Sequence, residues 1–188
     1  MNFLILVFVQ LACHSAVESF QVLDLEGDSY QILNREIDSL HTPSTMQGYL
    51  GTMTVGGIFK TNLIDGTLEY SAGKPVRPHY RVQDGIAQPL DRDGLIAFSY
   101  YHHLEDSVDF LESSDFDFDT LTPIDTAVSP IIPDVSLSLL PLENAAYAPT
   151  AHCFILLSDL LEKEVPLAAN KGIVAHEFGH AVFHYITT

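Results

Sequence analysis

The segment His176-Glu177-Phe178-Gly179-His180 constrains this chain more than any other feature of it. Side chains at i and i+4 of a helix lie one above the other, so two imidazoles at this spacing reach one ion only if residues 176–180 are helical. Neutral imidazole is a good zinc ligand, and two of them with a carboxylate leave a position open for water. Glu177 follows the first His directly and projects close enough to take a proton from that water, with zinc as the Lewis acid. The expected metal ligands are therefore His176 and His180, the expected catalytic base is Glu177, and the expected cofactor is Zn2+. The neighbouring residues agree with a helix: Asn170 is available as N-cap, and Ile173, Val174, Ala175, Ala181 and Val182 are apolar. Gly179 costs about 1 kcal/mol of helix propensity against Ala, which points to a packing or active-site reason for it.

The charge balance narrows the partners. There are 25 Asp and Glu against 8 Lys and Arg, a net charge of −17. Nucleic acid is excluded as a partner, because phosphate contact needs a basic footprint. A polybasic membrane anchor is excluded on the same ground. With 47% apolar residues the chain can bury a sizeable core. The first seventeen residues carry no charged side chain, and Phe3 to Val9 is an unbroken apolar run. That run is too short for a transmembrane helix and has the length of a signal-peptide core. Residues 1–16 are accordingly expected to be a signal peptide, or a lipoprotein signal ending at residue 12 with the lipid on Cys13. A buried N-terminal strand is the alternative. Export places the protein outside the cell or at the cell envelope, touching a membrane only through a lipid at Cys13. Cys153, in an apolar run, is expected to be a small buried hydrophobe, since two cysteines make no disulfide framework.

Residues 17–45 are mixed and polar, ending in His41-Thr42-Pro43-Ser44-Thr45, and are expected to be a linker or leader. From Gly48 to Pro89, short alternating runs between Gly and Pro, with turn signals at Asp65-Gly66 and Asp84-Gly85, predict a small antiparallel β region. Ala97, Tyr101, Leu104, Val108 and Leu111 fall on one face of a helix over Asp91–Ser113, with Asp91 or Asp93 as N-cap. An Asp-, Ser- and Pro-rich loop follows. Strands are expected at 135–142 and 152–157, and a last helix from Lys171 to the end. Asp115, Asp117 and Asp119 alternate, so Ca2+ is a second ion the sequence admits. However, Thr120 and Thr126 stand where a calcium-binding loop needs Gly and Glu, and a solvated acidic loop is the plainer reading. The adjacent pair His102-His103 does not face one way on a helix, which argues against a shared metal.

The sequence HEFGH with its apolar lead-in resembles the active helix of zinc metallopeptidases of the gluzincin type, the thermolysin and fungalysin group. Asn144-Ala145-Ala146-Tyr147 is similar to the edge-strand segment that holds substrate backbone in those enzymes. Phe98-Ser99-Tyr100-Tyr101-His102-His103-Leu104 resembles the helix that precedes their sheet, so the resemblance covers roughly residues 90–188. It implies an α+β fold, with a β-rich N-terminal region followed by a mixed sheet and the HExxH active-site helix packed beneath it. It also implies a zinc-dependent endopeptidase, in which a metal-held water activated by Glu177 hydrolyses peptide bonds. Asn144 and Ala145 would bind a peptide or protein substrate. Gluzincins take a third ligand, a Glu, from a helix further downstream. Here eight residues follow His180 and none is acidic. The HExxHxxGxxH extension fails as well, with Phe183 and Ile186 at its Gly and third His. His184 continues the stripe, but it is about 12 Å along the helix from His176, too far for one ion. Residues 46–188 are therefore expected to be a metallopeptidase domain truncated at its C-terminal end. His102, His103 and His152 are the first alternatives for a further ligand. The rival reading is a non-catalytic exported or lipid-anchored binding protein with an incomplete metal site.

Overall fold

The computed structural model describes residues 16–62, 64, 67–113, 121, 123–128, 144–157 and 165–188. The elements, in chain order, are β1 (Ser19–Glu26), β2 (Ser29–Arg35), β3 (Gln47–Gly48), β4 (Gly51–Thr61), β5 (Leu68–Pro75), β6 (Tyr80–Gln83), β7 (Ile86–Pro89), α1 (Arg92–Glu112), β8 (Asp125–Val128), β9 (Asn144–Ala148), β10 (Cys153–Leu157) and α2 (Lys171–Thr187). The fold is mixed α+β.

Two sheets result. One has the order β2-β1-β7-β6, with β1 and β7 parallel and the other pairs antiparallel. The second runs β3-β4-β8-β10-β9, with β5 also paired to β4. Within it β4, β8 and β10 are mutually parallel, while β9 lies antiparallel to β10 at the edge of the described strands. The hairpin at Asp84-Gly85 forms as the sequence predicts. Both residues have positive φ, 53° and 79°, the two-residue turn that matches strand twist. Residues 19–35, inside the stretch expected to be a linker, form the β1–β2 hairpin instead. Phe20 and Val22 turn inward there and are buried, an alternation too short to stand out in a polar segment.

Helix α1 lies between the sheets and joins them. Asp91 caps it by accepting from the Gly94 N–H at 2.8 Å. Of the expected stripe, Ala97, Tyr101, Leu104 and Val108 are buried and Leu111 is half-buried, but every residue from Ile96 to Leu104 is buried too. On one side Phe98 packs against Phe20, tilted, and Tyr80, edge-on, with ring centroids 5.0 and 5.4 Å apart, and Ser99 Oγ accepts from the Leu23 N–H at 2.8 Å. On the other, the Tyr100 hydroxyl bonds Thr126 Oγ1 at 2.9 Å and Tyr101 donates to the Gly51 carbonyl at 3.2 Å. A helix buried all round holds its neighbours on both faces, at roughly 1.5–3 kcal/mol per fully buried large side chain. Helix α2 packs on α1 through Val174, Phe178 and Ala181.

Cys153 is fully buried, and burial pushes its thiol up to about 12. Among the described residues, no helix is long and apolar enough to cross a membrane. The expected signal segment with Cys13, the strand at 135–142, the Asp65-Gly66 turn and the acids at 115, 117 and 119 lie outside the described residues.

Candidate functional site

Helix α2 starts where the sequence says it should. Asn170 Oδ1 accepts from the Ile173 N–H at 3.2 Å, satisfying one of the orphan donors of the first turn. With Val174, Phe178 and Ala181 committed to the core, the helical period turns His176, Glu177, His180 and His184 toward a cleft of about 510 Å³. Its opposite wall is β9, through Ala145, Ala146 and Tyr147. His176 Nε2 and His180 Nε2 stand 3.1 Å apart, with their rings perpendicular and both side chains exposed. Four of the five expected site residues, His176, Glu177, His180 and Ala145, thus border one cleft. Asn144 is next to Ala145 on the same strand and pairs in register with Leu157.

Two hydrogen bonds through His152 hold the far wall. His152 Nε2 lies 2.8 Å from the Leu121 carbonyl, which only accepts, so that nitrogen carries the proton. His152 Nδ1 therefore accepts from the Tyr147 hydroxyl, at 2.9 Å. Both nitrogens of His152 are thereby used within the wall. Among the described residues, Glu177 is the only carboxylate that borders the cleft.

A second group of the same residue types lies elsewhere. Asp24 from β1 and His102, His103 and Asp106 from α1 each offer one ligand atom, all within 4.8 Å of one another. Adjacent helical positions diverge by about 100°, the ground for expecting His102 and His103 not to share an ion. The structure removes that ground. Asp24 projects between the two rings, so they need not face each other to face the same carboxylate: His102 Nε2 is 3.5 Å from Asp24 Oδ2 and His103 Nδ1 is 4.0 Å from Asp24 Oδ1. Arg35 Nε pairs with Asp24 Oδ2 at 2.8 Å, and Lys171, the first residue of α2, pairs with Asp106. Burial pushes the Asp24 carboxyl up, but Arg35, the Leu25 N–H, His102 and Lys171 together outweigh it and hold the group below the usual carboxylate range. Burial, reinforced by His102, lowers the His103 ring to about 4. One sequence signal pointed this way: Phe20-Val22-Asp24 alternates, so a carboxylate occupies an inward position of a strand. Nothing local reveals its partners, which lie about eighty residues on.

Comparison with known proteins finds no family model that matches the chain and no curated protein similar to it in sequence.

Proposed function

We propose that the protein is a zinc-dependent endopeptidase of the gluzincin kind, acting in the cleft between α2 and β9. The observation that carries this reading is the convergence of two exposed ring nitrogens, 3.1 Å apart, beside Glu177 on a cleft edged by a strand. Ligands 2.0–2.1 Å from a tetrahedral zinc stand about 3.3 Å from each other, so the donor pair fits the ion. His176 and His180 would hold it, and bound there zinc would supply Lewis acidity toward a peptide carbonyl and lower the pKa of water at the site.

The chain's own groups supply the rest. Glu177, half-buried one position along from His176, takes the proton of the attacking water and returns it to the leaving amine. Among the described residues the outer edge of β9 has no partner strand, so its backbone N–H and C=O groups would receive an extended peptide as an added strand across the cleft. Ala145 keeps that edge low, and the neighbouring Asn144 is the substrate contact beside it. Tyr147, fixed through His152, closes the wall and helps exclude water.

The test joins metal content by mass spectrometry with cleavage of a quenched fluorescent peptide. His176→Ala and His180→Ala should each lose the zinc of the cleft and all cleavage. Asn144→Ala should keep the metal and lose turnover. Metal retention without cleavage of any peptide by the unaltered protein would favour a non-catalytic binding protein instead. The same reading places the protein outside the cytoplasm, on the strength of its uncharged, apolar start. Intact-mass measurement on protein from its natural host should find residues 1–16, or 1–12, removed.

A further inference from the structure

Buried polar groups almost always have partners, so exceptions call for a physical cause. Among the described residues, His102 Nδ1, His102 Nε2 and His103 Nδ1 are buried without a hydrogen-bond partner. His102 is 5% exposed and His103 0%. Two of these three nitrogens converge on one carboxylate, that of Asp24. His102 Nε2 lies 3.5 Å from Asp24 Oδ2 and 3.6 Å from Asp106 Oδ2, while His103 Nδ1 lies 4.0 Å from Asp24 Oδ1. These separations are too long for good hydrogen bonds. The two shorter ones are close to the spacing of about 3.3 Å between two ligands of one tetrahedral ion, and the four ligand atoms lie within 4.8 Å of one another, so the group must draw in slightly around an ion.

The tautomer of His103 sharpens the point. Its Nε2 is 3.0 Å from the Leu23 carbonyl and must donate to it, which leaves Nδ1 with a lone pair. A lone pair then faces the Asp24 carboxylate, acceptor against acceptor, an arrangement that a cation between them reconciles. Donation from the far ring nitrogen to a backbone carbonyl is also how metal-ligating histidines are commonly oriented.

We propose that Asp24, His102, His103 and Asp106 form a second metal site, for a divalent ion of the zinc class, which ties β1 to α1. Two imidazoles with two carboxylates suit zinc and its transition-metal neighbours, whereas calcium and magnesium prefer oxygen alone. Four protein donors leave no open position, so the site is structural. Lys171 is the competitor. Its ammonium pairs with Asp106 and lies 3.9 Å from Asp24 Oδ1, and its side chain is 41% exposed, so it can withdraw into solvent as the ion enters. This inference does not rest on the peptidase reading.

The test uses the full chain carrying His176→Ala and His180→Ala, exposed positions whose loss removes the two imidazoles that would hold zinc in the cleft. After equilibration with zinc and desalting, that protein should retain one equivalent of zinc, and zinc should raise its Tm. Adding His102→Gln should abolish both effects. Lys171→Met, which removes the competing charge, should tighten zinc at this site about tenfold, the order expected for one ion pair at a half-exposed position. A cooperatively melting His176→Ala/His180→Ala protein that binds no zinc would overturn the proposal, as would zinc binding that His102→Gln leaves intact. Should His102→Gln fail to fold, Lys171→Met decides alone: unchanged zinc affinity refutes the site.

Discussion

His176 and His180 stand four residues apart on the exposed side of α2, whereas His102 and His103 are adjacent and buried on α1. The first pair is brought together by one helix. The second meets only because β1 passes alongside α1 and delivers Asp24 between the rings. The first pair reaches an open cleft with room for water and substrate; in the second, Asp24, His102 and His103 are buried and only Asp106 is part-exposed. A local, exposed arrangement suits chemistry, because ligands exchange there. An arrangement drawn from two elements suits holding those elements together. The same residue types thus serve different ends according to what surrounds them.

The strongest way to break the contrast is to remove the base from the cleft. Glu177→Gln keeps the shape of the side chain and both imidazoles, so zinc should remain while cleavage of the fluorescent peptide collapses. General acid–base assistance alone contributes about 10²–10⁴-fold, and a base that activates the attacking water sits at the upper end. If the variant loses its zinc instead, Glu177 is a ligand or a prop. If it keeps zinc and activity together, the cleft is no peptidase site.

The buried group should respond in stability. Asp24→Ala removes a carboxylate that Arg35, the Leu25 N–H and both histidines face. Breaking a buried pair costs about 3–5 kcal/mol when the remaining charge stays buried. Arg35 and Lys171 can each reach solvent here, with side chains 40% and 41% exposed, which puts the loss nearer about 2–3 kcal/mol. Urea denaturation without metal measures it. A loss below about 0.5 kcal/mol, the level of an ordinary surface substitution, would mean that the cluster does not bind β1 to α1.

A smaller effect links the two regions. Asn170→Ala deletes the cap of α2, the helix that carries the cleft residues at its centre and Lys171 at its start. Caps of this kind are worth about 1 kcal/mol. The variant should lose that much stability and fray the first turn, beside Asp106, before it disturbs His176. Amide hydrogen exchange should therefore speed up at 171–174 and stay unchanged at 178–181.

How much of this the residues announced depends on the range of each interaction. The α2 helix, its Asn170 cap and the His176–His180 convergence depend on contacts within a few positions, and the pattern displays them. The Asp84-Gly85 turn is local too. Helix α1 is half legible: the period of Ala97, Tyr101, Leu104 and Val108 marks one buried face. Ser99, His102 and His103 look solvent-facing until Leu23 and Asp24 are brought against them. The β1–β2 hairpin was obscured for a similar reason. Strand β2 has no buried residue, and the inward row of β1 ends in an acid. Polar residues that are buried through distant partners read as loop or surface when taken alone.

Gly179 offers the finest discrimination between the two regions, because it lies one residue from His180 yet outside the chemistry. A glycine inside an active helix invites the idea that something must approach its backbone closely. A Cβ built there would meet no atom of the described residues within 4 Å, and its φ is not among the positive values that favour glycine. The open side is a groove of about 430 Å³ between α1 and α2, bordered by Phe110, Ala175 and Phe178. With no clash and helical backbone, Gly179→Ala should therefore stabilise the chain by about 0.5–1 kcal/mol, by restricting the unfolded state. Chemical denaturation measures the gain, and zinc content and peptide cleavage should not change. A loss of cleavage with the gain in stability intact would show that the motion or approach glycine permits belongs to the reaction. Unchanged or reduced stability would show that a Cβ meets an obstacle on that side of α2, and the groove would have to be covered in the working protein.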